Sequence, residues 1–191
     1  MKTRRSPDRK KLEQLVREQL AALGENPSRP ELRKTPARTA QMWEHILSGY
    51  DDDPAQALKA FRYEGFDEIV VLKNIRFYSV CEHHLLPFFG SVSLAYIPRE
   101  GMITGLSSLV RVVEIFSRRL QVQERMTTEI ADLMMVSLTP RGALVRVEAE
   151  HLCVSMRGES KPGILVKTQA LRGIFRKDPR TRAEAQSLLE G

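Results

Sequence analysis

Cysteine is nearly absent from this chain: there are two in 191 residues, at positions 81 and 153. A secreted scaffold framed by disulfides needs more, so these thiols are core residues, metal ligands or reactive groups of a reducing compartment. Long apolar runs are missing as well, and none approaches the roughly 20 residues that a membrane-spanning helix requires. The opening stretch, MKTRRSPDR, is basic and polar and lacks the apolar segment of a secretory signal. A cytoplasmic location with no membrane partner is therefore expected. Aromatic residues make up only 6%. Nucleic-acid modules are missing too: no paired CxxC fingers, no aromatic RNA-binding signature and no basic heptad helix, so no nucleic-acid partner is expected. The formal net charge of +6 is spread along the chain rather than gathered in a tail. It favours an anionic partner, and charge alone does not choose which.

What is present is the pattern of a soluble α+β protein. Leu12, Leu15, Val16, Leu20 and Leu23 recur at helical spacing, Pro7 suits a first turn and Gly24 a stop, which predicts a helix over residues 7–23. A second helix is predicted from near Pro36 to Leu47, and Asp51 to Pro54 opens a linker with a short helical turn. After Asp67 the pattern changes. Residues 69–80 and 88–98 are β-branched and aromatic and read as strands; 142–154 alternates most clearly, and 164–171 is a fourth strand. Helical periodicity fills 107–118 and 123–138, and a short helix closes the chain over 179–189. The expected architecture is a four-stranded antiparallel sheet with helices on one face, residues 66–191, preceded by a helical arm, residues 1–65.

Three of the four histidines and both cysteines fall into two short clusters, Cys81-Glu82-His83-His84 and His151-Leu152-Cys153. Positions 151 and 153 are two apart on the strand predicted over 142–154, so both side chains are expected to point to the same face. The first cluster ends a strand, where a turn can bring Cys81 and His84 together. Thiolate and imidazole are the ligands zinc prefers, and catalytic zinc keeps three protein ligands and an open position. Five donors compete for three or four places, and spacing does not choose among them. Burial in the core or a closed structural site of two Cys and two His would use the same residues.

At these residues the chain resembles a known family. FYSVCEHHLLPFFG (77–90), AYIP (95–98), GLS (105–107), RRLQVQER (118–125), HLCVSMRG (151–158) and RGIFRKDPRTRAE (172–184) are similar to the signatures of GTP cyclohydrolase I. The resemblance runs from near Gly24 to the C-terminus. It implies the tunnelling fold, a toroidal homodecamer of two pentamers and active sites at subunit boundaries. It also implies zinc held by Cys81, His84 and Cys153, with His83 and His151 as acid–base residues. The implied reaction converts GTP and water to 7,8-dihydroneopterin triphosphate and formate by hydrolytic opening of the imidazole part of guanine. Zinc supplies Lewis acidity at neutral pH, and histidine, with an ordinary pKa of about 6.5, suits the proton transfers.

Glu124 matches the glutamate that recognises guanine, with Gln123 beside it as a further expected substrate-binding residue, and an ionised carboxylate does fit the base's N1–H and exocyclic amine. Ser107 matches a contact to the sugar-phosphate, and Arg38, Arg111 and Arg157 match arginines that bind the triphosphate. The chain departs from the family in that phosphate region. Ser108 and Gln41 stand where lysines are usual, Ser91 stands where a lysine is common, and 164–169 (ILVKTQ) replaces a Ser/Thr-rich strand. Two charge-assisted contacts are worth about 3–6 kcal/mol together, and Lys167 is the candidate to restore one. These departures keep open a relative that acts on a purine nucleotide with fewer phosphates; a third reading, a zinc-stabilised binding protein without turnover, is opposed by the intact His83, His151 and Glu124.

Overall fold

The computed structural model describes residues 7–157 and 160–190. Residues 1–6 of the basic opening stretch and Gly158 of the HLCVSMRG motif lie outside the described residues.

Helix α1 (Arg9–Ala22) starts where Asp8 accepts a hydrogen bond from the Lys11 N–H, and it ends before Gly24 at φ +83°. Helix α2 (Thr35–Ile46) carries Pro36 in its first turn and packs on α1. A 3₁₀ turn (Ser48–Tyr50) and α3 (Pro54–Ala57), capped by Asp53, lead out of the arm. The turn is pinned to the rest of the chain: a Cβ on Gly49 would stand 2.1 Å from the Ile115 carbonyl oxygen, so only glycine allows this approach.

Then follow β1 (Ala60–Arg62), β2 (Val70–Cys81), β3 (Pro87–Ile97), β4 (Met102–Thr104), α4 (Leu106–Ser117), β5 (Leu120–Gln121) and α5 (Gln123–Leu138). The chain continues as β6 (Gly142–His151), α6 (Leu152–Ser155), β7 (Leu165–Gly173), α7 (Ile174–Lys177) and α8 (Pro179–Glu190). The main sheet has the order β5-β2-β3-β6-β7. Its four long strands are antiparallel, as expected, and β5 is an added fifth strand, parallel to β2 through Val80–Leu120 and Cys81–Gln121. A separate ribbon pairs β1 with β4. Elements of two or three residues carry no readable periodicity, so the expected count of four strands missed them.

Helices α4 and α5 bury Leu109, Val112, Phe116, Met126, Ile130 and Met134 against Phe77, Phe88, Leu94, Tyr96, Val145 and Val147 of the sheet. Each such side chain contributes about 1.5–3 kcal/mol by leaving water. The expectation that helices lie on one face needs correction. Ala95, Ile97 and Leu144 point the other way and are covered by Phe175 of α7 and Ala185 and Leu189 of α8. Alternation along β3 and β6 supplies apolar residues to both faces there, so both need cover.

One irregularity in β2 sets the geometry of everything downstream. The pairing moves from Leu72–Leu94 to Ile75–Val92, so β2 carries one extra residue at a bulge, where Asn74 adopts φ +59°. Strict alternation would send Leu72 and Ile75 to opposite faces. The bulge lets both meet the core and carries that phase through Phe77 to Cys81.

Candidate metal and proton-transfer site

Cys81 ends β2 on the buried side of the sheet, and the hairpin loop to β3 turns back over it. The loop is closed by the Cys81 N–H donating to the Leu86 carbonyl and the Leu85 N–H to the Cys81 carbonyl, both at 2.9 Å. Leu85 takes φ +55°, a conformation a leucine adopts at a cost of about 1–3 kcal/mol. This turn brings His84 Nδ1 to 3.8 Å from Cys81 Sγ.

Cys153 arrives by a route different from the one expected. The strand predicted over 142–154 stops at His151, and Leu152–Ser155 form a helical turn. The neighbours explain the stop: β3 begins at Pro87 and pairs Phe88 with His151, while β7 begins at Leu165 opposite Glu150. Beyond His151 no ladder is available on either side. His151 and Cys153 therefore diverge, and Ser155 Oγ steadies the turn by donating to Glu150 at 2.8 Å.

The donor atoms of Cys81, His84 and Cys153 lie within 4.8 Å of one another, and they form the one such Cys/His/carboxylate group among the described residues. A tetrahedral zinc would separate sulfur from sulfur by about 3.8 Å and sulfur from nitrogen by about 3.6 Å, so the set fits with small adjustments. Burial and, after it, the adjacent Cys81 sulfur push the Cys153 thiol above its ordinary range. A cation between the two sulfurs reverses that preference.

His151 is half-buried, its ring stacked on Phe88 at 4.7 Å and 5°. Its Nε2 lies 2.8 Å from Gln123 Oε1. The Gln123 amide is oriented without ambiguity, because its nitrogen faces the carbonyls of Val147 (3.1 Å) and Val166 (3.0 Å), which can only accept. Its oxygen must therefore accept from His151 Nε2–H, which leaves Nδ1 as the free basic nitrogen. Burial lowers the His151 pKa, opposed by the charge of Glu124. Gln123 is itself only 1% exposed, and its amide is fully engaged. The Gln123 side chain faces inward and holds a histidine.

Glu124, exposed in the first turn of α5, stands close enough to His151 to act on it electrostatically. His83 is exposed, with its ring 6.3 Å from that of His84. Arg157, just past α6, is exposed and near enough to Cys153 to favour its thiolate. Arg38 and Ser107 are exposed on α2 and α4. Arg111 is held by two carboxylates, Asp52 at 2.9 Å and Glu114 at 2.6 Å. Among the described residues neither Arg38, Ser107 nor Arg111 bonds to the metal donors, His151 or Glu124. Thr168 turns towards Gln123, so Lys167 points to the opposite face of the sheet and pairs with Glu148 at 3.2 Å.

Sequence reasoning also passed over Glu82, Gln121 and Arg125, which form a polar network beneath the loop. The residues sat inside motifs already noted, but nothing local says that positions 82 and 125 meet. The arm lies nearby, and a cavity of about 770 Å³ is lined by Leu12, Leu15 and Val16 of α1, Trp43 of α2, and His84 and Leu86.

Two soft sulfurs and an imidazole beside a second, separately held histidine make the layout of a metal-dependent hydrolytic enzyme. Comparison with known proteins narrows that class. The chain matches the family model described as GTP cyclohydrolase I over residues 12–190. It is 53% identical over 184 residues to GTP cyclohydrolase 1 of Pelotomaculum thermopropionicum, covering 96% of this chain and 98% of that one. It is 51% identical to the proteins of the same name from Carboxydothermus hydrogenoformans (95% of each chain) and Clostridioides difficile (95% of this chain and 96% of that one). The chain belongs to the GTP cyclohydrolase I family.

Proposed function

We propose that the protein is a zinc-dependent GTP cyclohydrolase I, opening the imidazole ring of GTP to give 7,8-dihydroneopterin triphosphate and formate at the start of pterin and tetrahydrofolate synthesis. The observation that carries this reading is the convergence of Cys81, His84 and Cys153 to within 4.8 Å, beside an independently held His151, in a chain that matches the family over residues 12–190. When bound, zinc supplies the Lewis acidity that makes water a nucleophile near neutral pH. The other roles belong to the chain. Glu124 accepts hydrogen bonds from guanine N1–H and the exocyclic amine, fixing the base. His151 takes up and returns a proton at Nδ1 while Gln123 keeps Nε2–H engaged. His83, exposed on the metal loop, serves the second transfer. Ser107 contacts the sugar-phosphate, and Arg38, Arg111 and Arg157 bind phosphate oxygens.

The segment through residue 65 acts as an arm on a catalytic unit, 66–191, of the tunnelling fold. The assembly is a toroidal homodecamer of two pentamers. The outer edge of β2 is paired by β5 only at Val80 and Cys81, and β7 ends the sheet on the other side, so both edges are open to strands of neighbouring copies. Head-to-tail pairing of unlike edges closes into a ring. It would bring α4, with Ser107 and Arg111, of one copy towards the metal loop of the next. No helix among the described residues is long and apolar enough to cross a membrane, which accords with a cytoplasmic enzyme.

A second reading, a cyclohydrolase for a purine nucleotide with fewer phosphates, draws on the carboxylates that hold Arg111 and on Lys167 facing away. Zinc-loaded protein offered GTP, GDP, GMP and guanosine, with pterin fluorescence after oxidation and formate release as readouts, tests both. Fastest turnover of GTP supports the first reading; preference for GDP or GMP supports the second. No pterin and no formate from any of them overturns both.

A further inference from the structure

Arg125 and Glu82 have no part in metal binding, proton transfer or base recognition as assigned above, yet they form the most fully connected ion pair of the site. Arg125 Nη2 and Nη1 lie 2.5 Å and 3.3 Å from the two carboxylate oxygens of Glu82, a fork on a fork. The same guanidinium donates from Nε to Gln121 Oε1 at 3.0 Å and from Nη2 to the Leu120 carbonyl at 2.9 Å. Gln121, 1% exposed, is anchored by its own amide nitrogen to the Phe116 carbonyl and Glu129, both at 3.2 Å. The backbone repeats the connection. Gln121 pairs with Cys81 across β5 and β2, and its carbonyl accepts from the Glu82 N–H at 3.1 Å. Glu82 is thus gripped at backbone and side chain by one segment, residues 120–125, and it stands between the ligand Cys81 and the pair His83-His84. The rest of that loop has exposed tips and a leucine at positive φ, so it does not hold its shape through side-chain packing.

We infer that Arg125 is a positioning residue that, through Glu82, holds the metal loop in register with the first turn of α5. The inference rests on the metal site proposed above. One segment then sets three spacings: Arg125 places Cys81 and the loop histidines, Gln123 places His151, and Glu124 meets the base. An ordinary half-exposed ion pair would contribute little to stability and nothing to the metal. A brace acts on the metal instead, because groups that orient metal ligands typically change affinity by about 10- to 100-fold.

The test uses full-length protein carrying Arg125→Met, Arg125→Lys, Glu82→Gln, or Arg125→Met with Glu82→Gln. Zinc affinity is read by competition with a chromophoric chelator, and ligand geometry by the visible spectrum of the cobalt-substituted protein. Arg125→Met and Glu82→Gln should each weaken zinc by about 10- to 100-fold and alter the cobalt bands, and the double variant should be no weaker than the worse single one. Arg125→Lys, which keeps the charge but not the fork, should recover only part of the loss. Wild-type zinc affinity and an unchanged cobalt spectrum in Glu82→Gln and in either Arg125 variant overturn the inference, as do additive losses in the double variant. Glu82→Gln preserves shape and decides the matter where an Arg125 variant fails to fold. Failure of the parent protein to take up zinc instead overturns the metal reading itself.

Discussion

The end of this site proposed to hold the metal and the end proposed to hold phosphate are built in opposite ways. At the metal end, Cys81, Cys153, His151 and Gln123 are buried or half-buried, and each is oriented by contacts within one chain. At the phosphate end, Arg38, Arg157 and Ser107 are exposed, and Arg111 is bound to the carboxylates of Asp52 and Glu114. Chemistry that depends on a few tenths of an ångström is pre-organised by the fold. On the proposed reading, binding of a flexible, highly charged tail is left to side chains that a neighbouring copy and the ligand would order. The cost of ordering them falls on substrate affinity, so defects at the two ends should have different kinetic signatures.

The largest effect is expected at the donors. Cys81→Ser or Cys153→Ser should release the metal, measured as zinc per chain, and abolish turnover; full occupancy in both would break the assignment of the thiols. Next come the histidines. His83→Ala and His151→Ala should retain zinc while turnover falls by about 10²-fold or more, the scale of general acid–base catalysis. Stoichiometric loss of metal in one of them would make that histidine a ligand. Gln123→Met sharpens the comparison further. It leaves His151 in place but frees its ring and strands the Val147 and Val166 carbonyls, so turnover should drop about tenfold with little change in KM, and stability should fall by about 1–3 kcal/mol.

The phosphate end should answer in KM instead. Ser108→Lys should lower the KM for GTP by about tenfold, the worth of one charge-assisted contact, with little change in kcat. The parent's KM should rise steeply with salt, because few charged contacts share the load. Asp52→Asn, which loosens the hold on Arg111, should have the smallest effect, a reduction in KM of about threefold, since the pair is half-exposed and screened. Unchanged constants in both variants would show that a neighbouring copy already supplies the charge and would erase the contrast between the two ends.

Much of this molecule is legible in its residues alone. Leucine spacing marks α1, periodicity gives the bounds of α5 to the residue, and the long strands are placed to within two residues at most ends. The two ligand clusters stand out as clusters because thiol and imidazole are rare in the chain. Less legible is whatever depends on a partner distant in sequence. Nothing local signals that Glu82 meets Arg125, 43 positions away, or that β6 and β7 present carbonyls to the Gln123 amide.

By itself the sequence determined the inventory: which stretches prefer helix or strand, where soft metal donors occur, and which basic residues are available for phosphate. These are properties of residue type and local period, and they survive without any tertiary contact. Only the tertiary structure decided the geometry. The bulge at Asn74 chose the face on which Cys81 emerges, and the starts of β3 and β7 ended β6 at His151, turning Cys153 towards Cys81 while His151 went to Gln123. Strand phase and ladder length depend on where neighbouring strands begin and bulge, and no window of local sequence contains that information.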